Sequence, residues 1–124
     1  MYVLRNMVDA VKPGGLVLDL QVIRPNPVAE AAGAVVCELD GEPLLRKADA
    51  AAAAVDALVD TGELVEEAVD DHDVLKHYAS GPDLIADWAR TDRHPLGDGA
   101  ARLRALDRAC NSRELCRLRR LRRG

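Results

Sequence analysis

The first apolar residues of the chain recur at the spacing of one helical face. These positions are Val3, Leu4, Met7, Val8 and Val11. They predict an amphipathic helix over about residues 2–11. Pro13 and the two glycines after it end this helix, because proline cannot continue the hydrogen-bond ladder and glycine tolerates a positive φ.

The next segment, residues 16–23, is apolar except for Asp19 and Gln21. A short apolar run of this kind is typical of a strand that is covered on both faces, as in α/β sheets. Pro25 and Pro27 follow closely and end the strand, because proline has no backbone N–H to donate. The sequence therefore predicts a helix and then a buried strand.

The residue pattern in the middle of the chain predicts a hairpin, a helix and a long strand. Residues 34–39 and 42–46 flank an Asp-Gly pair that suits a type I′ turn. Asp49 is a candidate N-cap for a helix over about residues 50–61, which the glycine at position 62 can end. Residues 64–78 are rich in valine and acids, and they predict a long strand with a solvent-exposed edge.

The last third of the chain predicts two helices and an ambiguous final segment. Ser80 is typical of a helix cap, and a second helix is expected over about residues 98–110, ending at Asn111. Residues 115–123 carry leucines three positions apart, which favours a helix. The break at Asn111 and the serine after it favours a strand, so the residues alone leave helix and strand both open for this segment.

Composition indicates one globular domain over residues 1–124, with 48% hydrophobic and 31% charged residues. No apolar run approaches the roughly 20 residues that cross a bilayer. Residues 1–11 include Arg5 and Asp9, which is unlike a signal peptide. The three cysteines form no CxxC pair, and an odd number favours free thiols. We therefore expect a cytoplasmic protein that does not enter the membrane.

The charge of the chain is divided unevenly along its length. Residues 1–99 carry 8 basic and 19 acidic side chains, whereas residues 100–124 carry 9 arginines and 2 acids. An arginine-rich end is compatible with nucleic-acid binding. Pairing of this end with the acidic stretch of the same chain is the simpler interpretation, so we regard nucleic acid as an unlikely partner.

The N-terminal block resembles a part of the class I S-adenosylmethionine-dependent methyltransferases. Its helix, the sequence Lys-Pro-Gly-Gly at positions 12–15 and the strand over 16–23 are similar to the lead-in to the fifth strand of that family. The resemblance implies a sixth strand near residues 64–78 and an antiparallel seventh strand, residues 115–122, inserted between the two. The implied fold class is α/β, or α+β as the chain stands, with a mixed, mainly antiparallel sheet and flanking helices.

This strand order gives the uneven charge a physical role. Acidic residues of the sixth strand would lie opposite arginines of the seventh, where opposite charges favour pairing. The acids concerned are Glu63, Glu66, Glu67, Asp70, Asp71 and Asp73. The arginines are Arg113, Arg117, Arg119, Arg120, Arg122 and Arg123. Together they would help to select strand partner and register.

The chain also departs from the family. The cofactor site of the methyltransferase family needs a glycine-rich loop after the first strand, and this chain contains no GxGxG sequence. We therefore predict no cofactor-binding residue on this chain, and S-adenosylmethionine enters only through the resemblance. Arg24 and Asn26, in the loop after the fifth strand, are the candidate substrate-binding residues. The alternative is that they form a solvated turn between prolines.

Other side chains with catalytic potential are better explained structurally. His72 and His77 are five positions apart, so they would lie on opposite faces of one strand, and His94 stands beside a proline in a loop. Cys37 and Cys110 fall in apolar segments, where cysteine acts as a small hydrophobic residue. We assign no catalytic residue from the sequence, and we predict no metal site.

Three functions are compatible with these observations. The first is a methyltransferase-like C-terminal half without its cofactor-binding half, inactive alone, in which Met1 is either an internal methionine of a truncated chain or the start of a stable remnant. The second is a non-catalytic interaction domain that forms a homodimer or binds a partner chain along the strand edge from Leu16 to Ile23. The third, which we favour least, is nucleic-acid binding through the arginine-rich end.

Overall fold

The computed structural model describes residues 2–124 and shows four helices and a six-stranded sheet in this part of the chain. The helices are α1 (Tyr2–Ala10), α2 (Glu42–Asp60), α3 (Gly81–Ala89) and α4 (Gly99–Ala105). The strands are β1 (Leu16–Val22), β2 (Val28–Ala31), β3 (Ala34–Leu39), β4 (Leu64–Tyr78), β5 (Pro95–Leu96) and β6 (Cys110–Arg123). The α+β class is confirmed. The proposal about Met1 lies outside the described residues.

Strand β6 is the centre of the sheet. One of its edges pairs with β4 along the whole strand. The other edge pairs with β1 in its C-terminal part and with β2 near its start. Strand β3 continues the sheet from β2, β5 follows β3, and every pairing is antiparallel. Since β1 and β4 are both antiparallel to β6, the prediction that the last strand inserts between them is confirmed.

The predicted hairpin of residues 34–39 and 42–46 is wrong. Glu42 begins α2, so Asp49 lies inside this helix and is not its N-cap. Pro43 stands in the first helical turn, where its fixed φ is favourable and its missing N–H is not needed. Strand β3 pairs instead with the short β2, through a turn at Ala32 and Gly33 in which both residues have positive φ.

The second correction concerns the helix that was predicted over residues 98–110. It ends at Ala105, and Cys110 and Asn111 belong to β6. Leu106 is already extended, and its carbonyl accepts a hydrogen bond from the Gly81 N–H at 2.8 Å, which ties it to the start of α3. Apolar residues continue past Ala105 because β6, the strand that follows, also buries residues such as Cys110. In β6 the buried side chains follow the two-residue period of a strand.

The described core consists of two clusters on opposite faces of the sheet. The first contains Val8, Val17, Val55, Leu58, Leu64 and Leu121, beneath α1 and α2. The second contains Ala29, Ala31, Cys37, Leu39, Leu84, Trp88, Leu103 and Cys110, beneath α3 and α4. Leu121 and Cys110 are an odd number of positions apart in β6, so their side chains lie on opposite faces. Each face is therefore covered over only part of its length.

The predicted pairing of acidic and basic strands is confirmed between β4 and β6. Arg117 Nε donates to Asp71 Oδ1 at 2.8 Å, and Arg122 Nε donates to Glu67 Oε2 at 2.9 Å. Nearer the start of β6, Arg113 Nη1 donates to Asp73 Oδ2 of β4 at 2.8 Å. Most of the C-terminal positive charge is thus balanced by this chain's own acids, which agrees with the interpretation that we preferred.

Candidate interaction surface

Strand β1 leaves one row of backbone groups without a partner among the described residues. The Ile23 N–H donates to the Leu115 carbonyl at 2.9 Å, and the Arg123 N–H donates to the Gly15 carbonyl at 2.9 Å. Odd-numbered residues of this segment therefore point their backbone groups at β6. The N–H and C=O groups of the even-numbered residues point outward, away from the sheet. The residues with outward groups are Leu16, Leu18, Leu20 and Val22.

The side chains of three of these residues form an exposed apolar row, which we call the leucine row. Leu16, Leu18 and Leu20 are 41%, 56% and 58% exposed. They lie on the face opposite Val17, which is only 4% exposed beneath the helices. Single exposed leucines are ordinary, but a row of them on an unpaired strand edge is a template for another strand.

A cleft lies beside the same edge on the other face of the sheet. It has a volume of about 410 Å³ and runs between α1 and α2. Its apolar lining includes Leu4, Met7, Val17, Ala51 and Val55, and Leu18 also borders it where it opens at the strand edge. Asp19 and Lys47 are its charged lining residues. A strand added to β1 would alternate its side chains between this cleft and the leucine row, so it would meet an apolar row on one face and a mainly apolar cleft with three polar residues on the other.

The outer edge of β4 is also unpaired in the described part of the chain, but its chemistry differs. Carboxylates interrupt its exposed valines, and the register shifts by one residue between Glu66 and Ala68. Charged residues and bulges are the usual means of blocking an edge strand from pairing with another chain. Strand β1 has neither along its leucine row, so it is the edge that can accept a partner.

The candidate substrate residues Arg24 and Asn26 lie together in the loop after β1, and both bind other parts of the chain. Arg24 Nη1 donates to Glu42 Oε2 at 2.6 Å, and Nη2 donates to Asp49 Oδ2 at 2.9 Å. These two carboxylates raise the pKa of Arg24. Asn26 Nδ2 donates to Glu38 Oε1 at 2.8 Å. Their role in substrate binding stays a prediction, and the observed contacts anchor the loop to α2 and β3.

A second cavity, of about 500 Å³, lies between α2 and the sheet and includes Arg24 in its lining. Its other cationic lining residues are Arg117 and Arg119. Each of these three guanidinium groups is held by carboxylates of this chain. An anionic ligand would have to displace those carboxylates, so the cavity is poorly suited to bind one.

A third, smaller cleft of about 190 Å³ lies beside α3. Tyr78 donates its hydroxyl proton to Asp87 at 2.6 Å, and Trp88 Nε1 donates to Tyr78 at 2.9 Å. Lys76 Nζ also donates to Asp87, at 2.7 Å, and this bond raises the pKa of the lysine. A protonated, paired lysine is not a base, and the contacts of this cluster join α3 to β4.

The histidines and cysteines do not combine into a reactive site in the described residues. His72 and His77 lie opposite Cys116 and Asn111, on different faces of the sheet, as predicted. Burial raises the pKa of the Cys37, Cys110 and Cys116 thiols, which keeps them protonated and unreactive. Residues 2–124 contain no group of three or more His, Cys, Asp or Glu side chains that could hold a metal ion.

The α1–α2 cleft is the feature that sequence reasoning missed. The sequence predicts a free edge at residues 16–23, but its pattern leaves residues 42–49 outside the helix that forms one wall of the cleft. Pro43 directly after Glu42 was the available signal, because proline is favoured in the first turn of a helix.

Comparison with protein families, with curated proteins and with solved structures finds no match to this chain. No helix in residues 2–124 is long and apolar enough to cross a membrane.

Proposed function

We propose that this chain is a non-catalytic binding module, related to the C-terminal half of the class I methyltransferases, that binds an apolar strand of another polypeptide along β1. The observation that carries the proposal is the combination of outward backbone groups on β1, the leucine row on one face and the α1–α2 cleft on the other. Exposed edges of this kind bind extended peptides by adding a strand to the sheet.

The chemistry of the edge defines the partner strand. Main-chain hydrogen bonds to Leu18 and Leu20 supply affinity without selecting a sequence. Selectivity comes from the two faces, since the partner must place apolar side chains beside the leucine row and on the other face must match a cleft that Asp19, Gln21 and Lys47 line together with apolar residues. The partner is therefore a strand of mainly Val, Ile and Leu residues, in which a polar side chain on the cleft face lies beside one of these polar groups.

The strand order supports the relationship to methyltransferases. Strands β1 and β4 run parallel to one another with the antiparallel β6 between them, which is the arrangement that the resemblance implied for its last three strands. The chain lacks the glycine-rich cofactor loop, and Arg24 is held by Glu42 and Asp49. For these reasons the chain alone carries out no methyl transfer.

The three free cysteines of the chain suit the reducing environment of the cytoplasm.

The arginine-rich C-terminus does not favour nucleic-acid binding as the function. Arg113, Arg117, Arg119 and Arg122 are each paired with a carboxylate. Binding of phosphates would require these pairs to break, and β6 is covered on both edges by neighbouring strands. We therefore propose a polypeptide partner.

Calorimetric titration tests the binding edge. The probe is a peptide that carries residues 16–23 between pairs of lysines, which is a strand apolar except for Asp19 and Gln21 and kept in solution by its ends. We expect it to bind the wild-type chain and to lose at least tenfold in affinity with Leu18→Pro. Proline at this position removes an outward N–H that bonds to nothing within the described residues, so the fold should persist.

Leu18→Ala is the matched control, because it keeps the N–H and shortens the side chain; we expect it to weaken binding less than Leu18→Pro does. Circular dichroism verifies the fold of each variant, and Leu20→Lys, which changes an exposed side chain, provides a second edge variant. Failure of the peptide to bind the wild-type chain at concentrations where the chain is monomeric, or equal binding to Leu18→Pro and Leu20→Lys, would overturn the binding edge.

A separate titration with S-adenosylhomocysteine tests the non-catalytic part of the proposal. We expect no heat of binding and no transfer of methyl groups by the 124-residue chain. Micromolar affinity would mean that the chain forms a cofactor site, and the non-catalytic assignment would then be rejected.

A further inference from the structure

We infer that the strand bound by β1 is β1 of a second copy of this chain, antiparallel to the first, with Leu20 opposite Leu20 of the second copy. This inference rests on the proposed function, because it requires that the β1 edge accepts a strand. It adds the identity of the partner and the register in which the two strands meet.

Hydrogen bonding limits the registers that two copies can use. Only even-numbered residues of β1 point their backbone groups outward. Two antiparallel copies must therefore place even-numbered residues opposite even-numbered residues. The registers with the longest overlap have their two-fold axis at Leu18, at Asp19 or at Leu20.

Charge distinguishes these three registers. An axis at Asp19 places two carboxylates directly opposite one another, about 4.5 Å apart at the Cα atoms, where like charges repel. An axis at Leu18 places each Asp19 opposite Val17, which is 4% exposed, so the carboxylate would lie against a buried apolar side chain without a donor.

An axis at Leu20 places Asp19 of each copy opposite Gln21 of the other copy. Because of the two-fold symmetry, this contact occurs twice. The two side chains are compatible, because Gln21 Nε2 already donates to Asp19 Oδ1 at 3.1 Å within one chain. Lys47 lines the same cleft as Asp19 and Gln21 and is exposed, with no ion pair among the described residues. It provides a positive charge near the carboxylate that arrives from the second copy.

The same register completes the leucine row. Leu18 would lie beside Val22 of the second copy, and the two Leu20 side chains would meet at the axis. Because the contact is two-fold symmetric, it closes after two copies and leaves no further β1 edge. The edges that remain at the ends of the joined sheet include the acidic, bulged β4 strands, which oppose further growth.

Cysteine cross-linking tests the register. In Leu20→Cys the two new thiols would face each other across the axis, within the Cα separation that a disulfide tolerates. In the matched control Leu18→Cys, the two copies of residue 18 would be offset by four positions, roughly 13 Å. The native cysteines are buried and do not compete. After mild oxidation we expect Leu20→Cys to form a covalent dimer and Leu18→Cys to remain uncross-linked.

Sedimentation equilibrium of the wild-type chain gives the second measurement. We expect twice the chain mass of 13.4 kDa for the wild type and the single mass for Leu20→Lys. Cross-linking of Leu18→Cys in preference to Leu20→Cys would overturn the register. If the wild-type chain is a monomer that still binds the strand peptide, the partner is not a second copy, but the proposed function stands. If it is a monomer that does not bind the peptide, both the second copy as partner and the proposed function are overturned.

Discussion

Arg117 and Arg119 lie two positions apart on the same face of β6. Their surroundings differ, so we expect them to contribute differently to the free energy of unfolding. Arg119 is 8% exposed beneath α2, where Nε donates to Glu66 Oε2 at 2.6 Å and Nη1 lies 2.9 Å from Asp56 Oδ1. Burial opposes its charge, and the two carboxylates outweigh burial, so the pKa of Arg119 is raised. Arg117 forms its pair with Asp71 in solvent.

This contrast predicts unequal costs of removing the two arginines. Arg119→Ala should lower the free energy of unfolding by about 2 kcal/mol, because it removes hydrogen bonds to charged groups and leaves a gap beneath α2. Arg117→Ala, the matched control, should cost clearly less, because water solvates Asp71 when its partner is removed. Urea unfolding followed by circular dichroism measures both. Equal losses would contradict the importance of burial at position 119.

At the scale of elements, the β4–β6 pair depends on ionised carboxylates. The hydrogen bond from Arg122 lowers the pKa of Glu67, and the hydrogen bond from Arg117 lowers the pKa of Asp71. A carboxyl group whose pKa is lowered by folding stabilises the fold at any pH above its unfolded pKa. That contribution is lost as the pH falls through the lowered, folded value.

We therefore expect the free energy of unfolding to fall with pH from about pH 4.5 downward, where unfolded glutamate and aspartate begin to bind protons. The double variant Glu67→Gln/Asp71→Asn should be less stable at neutral pH and should lose less stability on acidification. Asp107→Asn is the control, since Asp107 is exposed and no ion pair to it occurs in the described chain. Parallel acid profiles for the wild type and the double variant would contradict this role of the ion pairs.

At the scale of the whole molecule, β6 connects the two core clusters. Cys110 near its start packs with Trp88 beneath α3 and α4, whereas Leu121 near its end packs with Val17 beneath α1 and α2. Neither cluster can lose β6 without breaking the sheet that supports the other. The chain should therefore unfold in one cooperative transition.

The single tryptophan makes this cooperativity measurable, because Trp88 reports on one cluster alone. Leu121→Ala, which truncates a fully buried side chain in the other cluster, should cost about 3 kcal/mol. We expect Trp88 fluorescence and far-ultraviolet circular dichroism to shift together along the urea axis. An unshifted fluorescence transition with a shifted dichroism signal would mean that the two clusters unfold separately.

The elements that the sequence alone predicted correctly are those with strong local signals. The apolar run after position 15 is β1, the valine-rich and acidic stretch is β4, and Ser80 caps α3 by accepting a hydrogen bond from the Asp83 N–H at 3.2 Å. The family resemblance supplied the partner of the last strand, and the complementary signs of the acids of β4 and the arginines of β6 agree with it. Each of these predictions depends on residues that are close in sequence or on total charge.

Only the tertiary structure decided the remaining features. The Asp-Gly pair before position 42 favoured a hairpin locally, yet the segment is helical because Leu45 and Ala48 are buried in that arrangement. Cys110 continued a helical pattern but lies in β6, where it pairs with Tyr78 of β4. The α1–α2 cleft forms from helices distant in sequence that pack beside the β1 edge. Such choices depend on burial between remote segments, and a local signal such as Pro43 at the start of α2 does not by itself decide them.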